Sequence, residues 1–261
     1  MHIYICMPKT ENVDALCPVY GAASMNDNTH AHLWVQGAAQ VMPRLTDLVM
    51  HNHKVFRVLH TDMFANPDQE RLGEILRNNQ SDKSNTHNYH VVYSYIFRQL
   101  GDRPIKTLEV GIGTNNEDLV SSMGWNGRPG ASLYAFRDFL PKAQVYGADI
   151  DRGILFTGDR IKTSYVDQMN MATFKQMNEN FGHVKFDLII DDGLHSIGAN
   201  LNTLVYALDQ VADGGWIVIE DIGLNQYDYW RPMDAILQTM PQYDAFMVKC
   251  KQSCMYVVHK L

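Results

Sequence analysis

Asp192, His195, Glu220 and Asp221 stand at the ends of two short apolar runs. Leu188-Ile189-Ile190 leads into Asp191-Asp192, with His195 just beyond, and Trp216 to Ile219 leads into Glu220-Asp221. Continuous apolar runs of strand length suit strands buried on both faces of a parallel sheet. Ligands of open α/β sheets bind just past the carboxyl ends of such strands. The two runs therefore deliver all four residues to one cleft. Three carboxylates placed together repel one another unless a cation or protons neutralise them. An all-oxygen set favours a hard divalent ion, Mg²⁺ before Zn²⁺. The plainer roles are strand-end capping for the carboxylates and a helix-start hydrogen bond for His195.

A second group lies upstream. Leu108-Glu-Val-Gly-Ile-Gly-Thr114 is a glycine-rich turn directly after an apolar strand. Gly111 and Gly113 let the backbone turn sharply and let a ligand lie against it. Asn116 stands where a dinucleotide fingerprint has another glycine, which disfavours a nicotinamide dehydrogenase. Asp149, at the end of the next strand, is placed to accept both hydroxyls of a ribose. Glu109 adds a carboxylate for which NAD has little need. The sulfonium and ammonium of S-adenosylmethionine could use it.

Positioning these groups requires a regular frame, and the patterning supplies one. From Ile105 onward strand and helix patterns alternate: strands at 106–110, 144–149, 160–166, 186–190 and 216–219, helices at 131–140, 172–180, 197–211 and 232–240. A hairpin pattern of 245–250 and 254–259 closes the chain. Alternation implies a mostly parallel, doubly wound sheet with helices on both faces, and the final pair an antiparallel hairpin. A helix over Tyr89 to Leu100 precedes this frame and could cover the cleft, and Lys83, His87 and Tyr89 either close over a cofactor or belong to a solvated linker. The expected division is an N-terminal α/β extension over residues 1–80 and a ligand-binding domain over 81–261. Within the extension a strand over 1–6, a helical pattern over 32–53, a strand over 54–60 and a helix over 68–77 are expected. The pairs His30/His32 and His51/His53 read as surface histidines rather than a metal site.

The totals narrow the function class. The chain has 261 residues, 46% hydrophobic and 20% charged, with a net charge of −7. An acidic balance without a basic face argues against a nucleic-acid partner. No apolar run approaches the ~18 residues of a membrane span. The start of the chain lacks a signal-peptide pattern, and the four cysteines have no metal spacing, so free thiols in a reducing cytoplasm are expected.

Glu-Val-Gly-Ile-Gly at 109–113, Tyr-Gly-Ala-Asp-Ile-Asp at 146–151 and Val-Asp-Gln at 166–168 resemble the successive cofactor motifs of class I S-adenosylmethionine-dependent methyltransferases. Within that superfamily, Asp-Asp-Gly-Leu-His at 191–195 with Ile-Glu-Asp at 219–221 resembles the Mg²⁺-dependent O-methyltransferases of macrolide sugars. The resemblance covers residues 80–261. It implies a seven-stranded Rossmann-like sheet with a reversed last strand, S-adenosylmethionine and Mg²⁺ as cofactors, and methyl transfer to a hydroxyl of a sugar or glycoside. It also implies roles: Asp192, Glu220 and Asp221 as metal ligands, His195 as base, Asp167 and Gln168 as adenine contacts, and Asp191 as a residue shaping the pocket. Ser132 falls in Gly130-Ala-Ser-Leu133, similar to the family's segment between the first two strands. Leu194 departs from the pattern, where a small polar residue is expected. Trp125, Tyr227, Tyr229 and Trp230 form either an aromatic wall for a sugar or ordinary core. Self-association is expected from the resemblance. Rival readings are an O-methyltransferase of a catechol or other phenolic diol, and a non-catalytic module that keeps the cofactor pocket.

Overall fold

The computed structural model describes residues 56–223 and 226–261. The expected strand at 1–6, the helix over 32–53, the paired histidines, Cys6 and Cys17 lie outside the described residues. The elements run β1 Val58–His60, α1 Gln69–Asn78, α2 Tyr89–Leu100, β2 Lys106–Val110, α3 Ala131–Phe139, β3 Gln144–Asp149, β4 Thr157–Gly158 and β5 Ile161–Tyr165. They continue with α4 Met171–Phe181, β6 Phe186–Asp191, α5 Ile197–Gln210, β7 Val211–Ile222, α6 Tyr227–Leu237, β8 Tyr243–Lys249 and β9 Cys254–Lys260.

These strands form one sheet in the order β1-β8-β9-β7-β6-β2-β3-β5-β4. Setting aside the very short edge strands β1 and β4 leaves the expected seven. Only β9 among those seven runs against its neighbours, between β7 and β8. β1 pairs parallel with β8, and α1 packs beside α2 and α3, so residues 58–78 join the frame of the domain expected to begin at 81.

The apolar runs face both ways, as a doubly covered sheet requires. Leu188 and Ile190 of β6 join a core with α1, α2 and α3, while Ile189 between them joins the core with α4, α5 and α6. Side chains alternate across a strand, so each run feeds both layers. From β2 the chain moves outward to β3 and β5, then returns to β6 and β7 on the other side. The carboxyl ends of β2 and β6 therefore flank a topological switch point, where open sheets leave a crevice.

Two elements differ from the sequence expectation. The helix expected at 232–240 spans Tyr227–Leu237 and carries Pro232 inside it. Proline is favoured in a first turn, which made it look like a start; here the chain has already entered the helix upstream, with Gln226 N–H bonded to the Gly223 carbonyl at 2.9 Å. β7 is longer than expected, and its register against β9 slips between Ile219 and Ile222. That slip holds the Glu-Asp pair.

Candidate active site

The turn after β2 brings two strand ends into contact. Gly111 and Gly113 take φ of 87° and 80°, a left-handed conformation that favours glycine. A Cβ on Gly111 would lie 2.2 Å from the Asp192 carbonyl oxygen, so glycine here lets β2 and β6 close on each other. Beside the turn, Asp149 accepts the N–H of Ile112 and of Asp151, each at 2.9 Å and on different oxygens. Burial raises its pKa and these bonds pull it back. Each oxygen retains a lone pair for a further donor.

Glu109 points into the layer under α2 and α3. Ser132 donates to one of its oxygens, and the other meets only Lys83, 3.2 Å away, without a hydrogen-bond partner. Burial pushes the Glu109 pKa up, against the pull of Lys83. A cavity of about 370 Å³ opens over this end, lined by Lys83, Glu109, Ser132, Asp192, His195 and Asp221 among others. A second, of about 220 Å³, is lined by Asp167, Gln168 and Leu194. Gly111, Ser121, Asp149 and Gly193 line both, so the two form one elongated cleft bent around the glycine turn.

Asp167 and Gln168 reach the cleft wall, but their polar atoms are largely spent on the loops. Asp167 accepts the Met169 N–H, and Gln168 bonds Asp191, Thr203 and the Leu194 N–H. Asp191 is fully buried and lines neither cavity. It accepts from Gln168, Asn200 and the Gly193 N–H, tying the 191–194 loop from beneath. Burial raises its pKa, offset by those bonds.

At the β6 and β7 end the structure gathers Asp192, His195 and Asp221, whose donor atoms lie within 4.8 Å of one another. His195 Nε2 stands 3.8 Å from Asp192 Oδ1 and 3.7 Å from Asp221 Oδ2. His195 and Asp221 take φ of 53° and 55°. Left-handed backbone at a non-glycine residue is costly and collects at functional sites. At Asp221 it breaks the strand's alternation, so that Asp221 lines the cleft while its neighbour Glu220 lies buried behind it. Tyr89 and Ser253 donate to Asp221 Oδ1 at 2.6 and 2.9 Å, leaving Oδ2 toward His195. Burial alone would raise the Asp221 pKa; Tyr89, His195, His87 and Ser253 together hold it below the ordinary value.

Glu220 comes to the cluster but faces inward. It is 1% exposed, accepts from Lys83 at 2.7 Å on one oxygen, and takes the Tyr93 hydroxyl on the other. Lys83 also reaches Asp192 Oδ2 at 2.5 Å. Desolvation pulls the Lys83 pKa down, yet Asp192, Glu220 and Glu109 outweigh it and hold the ammonium well above an ordinary lysine. Three carboxylates share this one cation. The surplus negative charge, with burial as the larger cause, is what drives the Glu220 pKa up.

Of this group the sequence offered Lys83 and Tyr89, as residues closing over a cofactor or lying in a solvated linker; the structure buries both against the acids, and Tyr93 joins them unannounced. The legible trace of Tyr93 is its i, i+4 spacing from Tyr89, which places both on one face of α2. Among the aromatic candidates, Trp230 is core, packed on Tyr256 at 4.7 Å, whereas Trp125 stands 82% exposed in the loop beside the cleft.

No family model matches the chain. A tetracenomycin rhamnosyl 3'-O-methyltransferase of Streptomyces olivaceus is 30% identical over 153 residues, 58% of this chain and 36% of the relative. Mycinamicin VI 2''-O-methyltransferase of Micromonospora griseorubida is 33% identical over 131 residues, 50% of this chain and 30% of the relative. The chain thus spans well under half the length of these curated relatives. The MycE methyltransferase of the mycinamycin pathway, solved with Mg and SAH, superposes with a TM-score of 0.50 at 28% identity, covering 66% of this chain and 43% of that one. Over the stretch they share, this chain is similar in sequence to these sugar O-methyltransferases and similar in its Rossmann-like fold to the methyltransferase solved with Mg and SAH.

Proposed function

We propose that the protein transfers a methyl group from S-adenosylmethionine to a hydroxyl of a sugar or glycosylated small molecule, with a divalent ion, Mg²⁺, at the acceptor. The observation that carries this reading is a single cleft with Asp149, the glycine turn and Glu109 at one end and Asp192, Asp221 and His195 at the other. The residues suit both cofactors. Glu109 lines the cleft, and its buried Oε1 takes no hydrogen bond although Lys83 Nζ stands 3.2 Å away, so its carboxylate charge is only partly matched and suits a nearby ammonium group. Asp149 keeps lone pairs for ribose hydroxyls, and Asp167 and Gln168 wall the adenine end. Gly111, Gly113, Ser132 and Asp191 shape the pocket rather than supply its charge. Asp192 Oδ1 and Asp221 Oδ2 face one point, and two carboxylates completed by water and substrate oxygens are a common Mg²⁺ arrangement.

A bound divalent ion would stabilise the alkoxide form of the reacting hydroxyl. His195 takes the hydroxyl proton as general base, its Nε2 facing the end of the cleft where Asp192 and Asp221 meet. The oxygen forms a bond to the methyl carbon as the carbon–sulfur bond breaks, and the electron pair leaves with sulfur, giving S-adenosylhomocysteine. The chain contributes alignment, which for two well-placed reactants is worth about 7–11 kcal/mol.

The acceptor class rests on the sugar methyltransferases the chain resembles, and the cytoplasmic reading on the buried free thiols Cys250 and Cys254. Among the described residues no helix is long and apolar enough to cross a membrane. Labelled methyl transfer to a panel of deoxyhexosyl glycosides and catechols, with Mg²⁺ or with chelator, tests the proposal. Mg²⁺-dependent labelling of glycosides is expected. Labelling of catechols alone would move the acceptor class, and labelling indifferent to chelator would remove the metal.

A further inference from the structure

We infer that Trp125 is a specificity-determining residue for the acceptor: its indole is the platform on which the apolar aglycone of a glycoside rests while the sugar enters the cleft. This rests on the glycoside reading above and deepens it.

Trp125 stands 82% exposed, yet the turn that carries it is tightly built. Asn115 Nδ2 donates to the Gly124 carbonyl at 2.5 Å and to the Gly127 carbonyl at 2.9 Å, so one amide clasps the turn on both sides of the indole. A side-chain amide nitrogen has two N–H groups, and this clasp uses both. The Met123 N–H bonds the Thr114 carbonyl at 2.8 Å, and Thr114 and Ser122 form a short parallel bridge. The Met123 side chain fills a notch between two glycines. A Cβ on Gly113 would lie 2.3 Å from its sulfur, and one on Gly127 would lie 2.8 Å from its methyl carbon. Gly113 belongs to the turn after β2, so the turn bearing Trp125 is docked on a residue that shapes the cofactor pocket.

Holding an indole in water has a cost. Tryptophan carries one of the largest apolar surfaces of any side chain, and contiguous exposed apolar groups mark binding surfaces. Here they gather at the cleft. Val120, Ile150 and Met169, all exposed, line the cavity beside Asp167 and Gln168. Met123, also exposed, lines the cavity that holds His195, as do Asn126 and Gly127 next to Trp125. Inside, that cavity is charged around Asp192, Asp221 and His195, which suits hydroxyls, while its rim at Met123 and Trp125 is apolar. A molecule polar at one end and apolar at the other matches both, and a glycoside with a ring-shaped apolar aglycone is such a molecule. The indole takes the ring by stacking. A platform fixed before binding spares the complex the ordering of a loop.

Calorimetry on the full chain with S-adenosylhomocysteine and Mg²⁺ present tests this without turnover, using a set of deoxyhexoses, each as its methyl and its naphthyl glycoside. Wild type is expected to bind the naphthyl member of a pair about tenfold or more tightly than the methyl member. Trp125→Ala should cut that preference to about twofold, and Trp125→Phe should keep most of it. S-adenosylhomocysteine affinity should stay within about twofold in both variants. Asn115→Ala leaves the indole but releases its turn, and should weaken naphthyl glycoside binding about three- to fivefold. Equal binding of the two glycosides by wild type overturns the platform, as does a preference that Trp125→Ala leaves intact. A Trp125→Ala chain whose oligomeric state shifts in sedimentation while its glycoside preference stays as in wild type would assign the indole to a contact between copies of the chain instead. If no deoxyhexoside binds in either form, the glycoside reading itself falls and takes the platform with it.

Discussion

At the β2 and β3 end of the cleft, Asp149 is held by backbone N–H groups of Ile112 and Asp151, whereas at the β6 and β7 end Asp192 and Asp221 are held by the side chains of Lys83, Tyr89 and Ser253. Both ends use the same device, a strand that finishes in a carboxylate. They differ in what supports it. Backbone donors come with the turn itself and persist whatever side chains surround them. They suit an acceptor of neutral hydroxyls. Side-chain donors must be brought from elsewhere, here from the segment before α2, from α2, and from the turn between β8 and β9. They leave chosen oxygens free and let charge accumulate, which suits a cation. The left-handed backbone at His195 and Asp221 belongs to this second end, and the first end places its left-handed residues on glycine.

The comparison breaks most readily at Asp192. Asp192→Ala should lower divalent-dependent methyl transfer by about 10²-fold or more, the scale of losing an aligned charged group at a reacting centre. S-adenosylhomocysteine affinity should stay within several-fold; unchanged turnover would strike Asp192 from the ligands. Asp149→Ala should do the reverse. Losing a charge-assisted hydrogen bond of about 1.5–3 kcal/mol weakens cofactor binding about 10- to 100-fold, while Mn²⁺ affinity holds. Equal cofactor affinity in calorimetry would mean that the β3 end does not carry the ribose.

A pH series sharpens the electrostatic side. Burial raises the pKa of Glu109, Asp149, Asp191 and Glu220. The folded chain therefore keeps protons that the unfolded chain releases near pH 4, the ordinary carboxylate value of about 3.9–4.3. Their contribution to stability is present at low pH and lost as pH rises through the raised values. Asp221 acts oppositely: its contribution is present above about pH 4 and is lost only as pH falls through its lowered value. Among the cleft groups four raised carboxylates stand against Asp221, so the gain in Tm on adding Mg²⁺ should grow as pH rises above the ordinary carboxylate range. His90 and His259, which burial holds below the ordinary histidine value, move the metal-free Tm the other way. The difference between metal-free and Mg²⁺-loaded protein is therefore the readout, and a difference that does not grow with pH would contradict the assignment of surplus charge to the cluster. Tyr89→Phe should give the smallest effect. One lost hydrogen bond to Asp221 is worth about 1 kcal/mol, read as a several-fold loss in Mn²⁺ affinity; no change would leave Ser253 as the sufficient support.

Much of the frame was legible because its signals are local. The bounds of α2, β2 and β3 match the sequence pattern, since each is a short apolar repeat closed by glycine, proline or a carboxylate. The glycine turn and Asp149 were legible for the same reason, being consecutive strand ends. Helix α6 was read late because Pro232 resembles a start, and Trp230 could not be told from a cleft aromatic until its packing on Tyr256 was seen. For Lys83 the sequence left two places open, over a cofactor or in a solvated linker, and could not choose between them. Its partners Asp192 and Glu220 lie 109 and 137 residues away, and a lysine in a polar stretch looks the same whether it is solvated or sealed.

The amino-acid sequence by itself determined the alternation of strand and helix, the glycines that permit the left-handed turn, and the arrival of carboxylates at strand ends, because period, backbone freedom and residue type are properties of short segments. Only the tertiary structure decided which oxygen of each carboxylate is free, that Glu220 faces inward, and that one buried ammonium serves three acids. Those depend on burial and on distances between groups far apart in the chain, and electrostatic interactions are set by distance and by the exclusion of water rather than by order in the sequence.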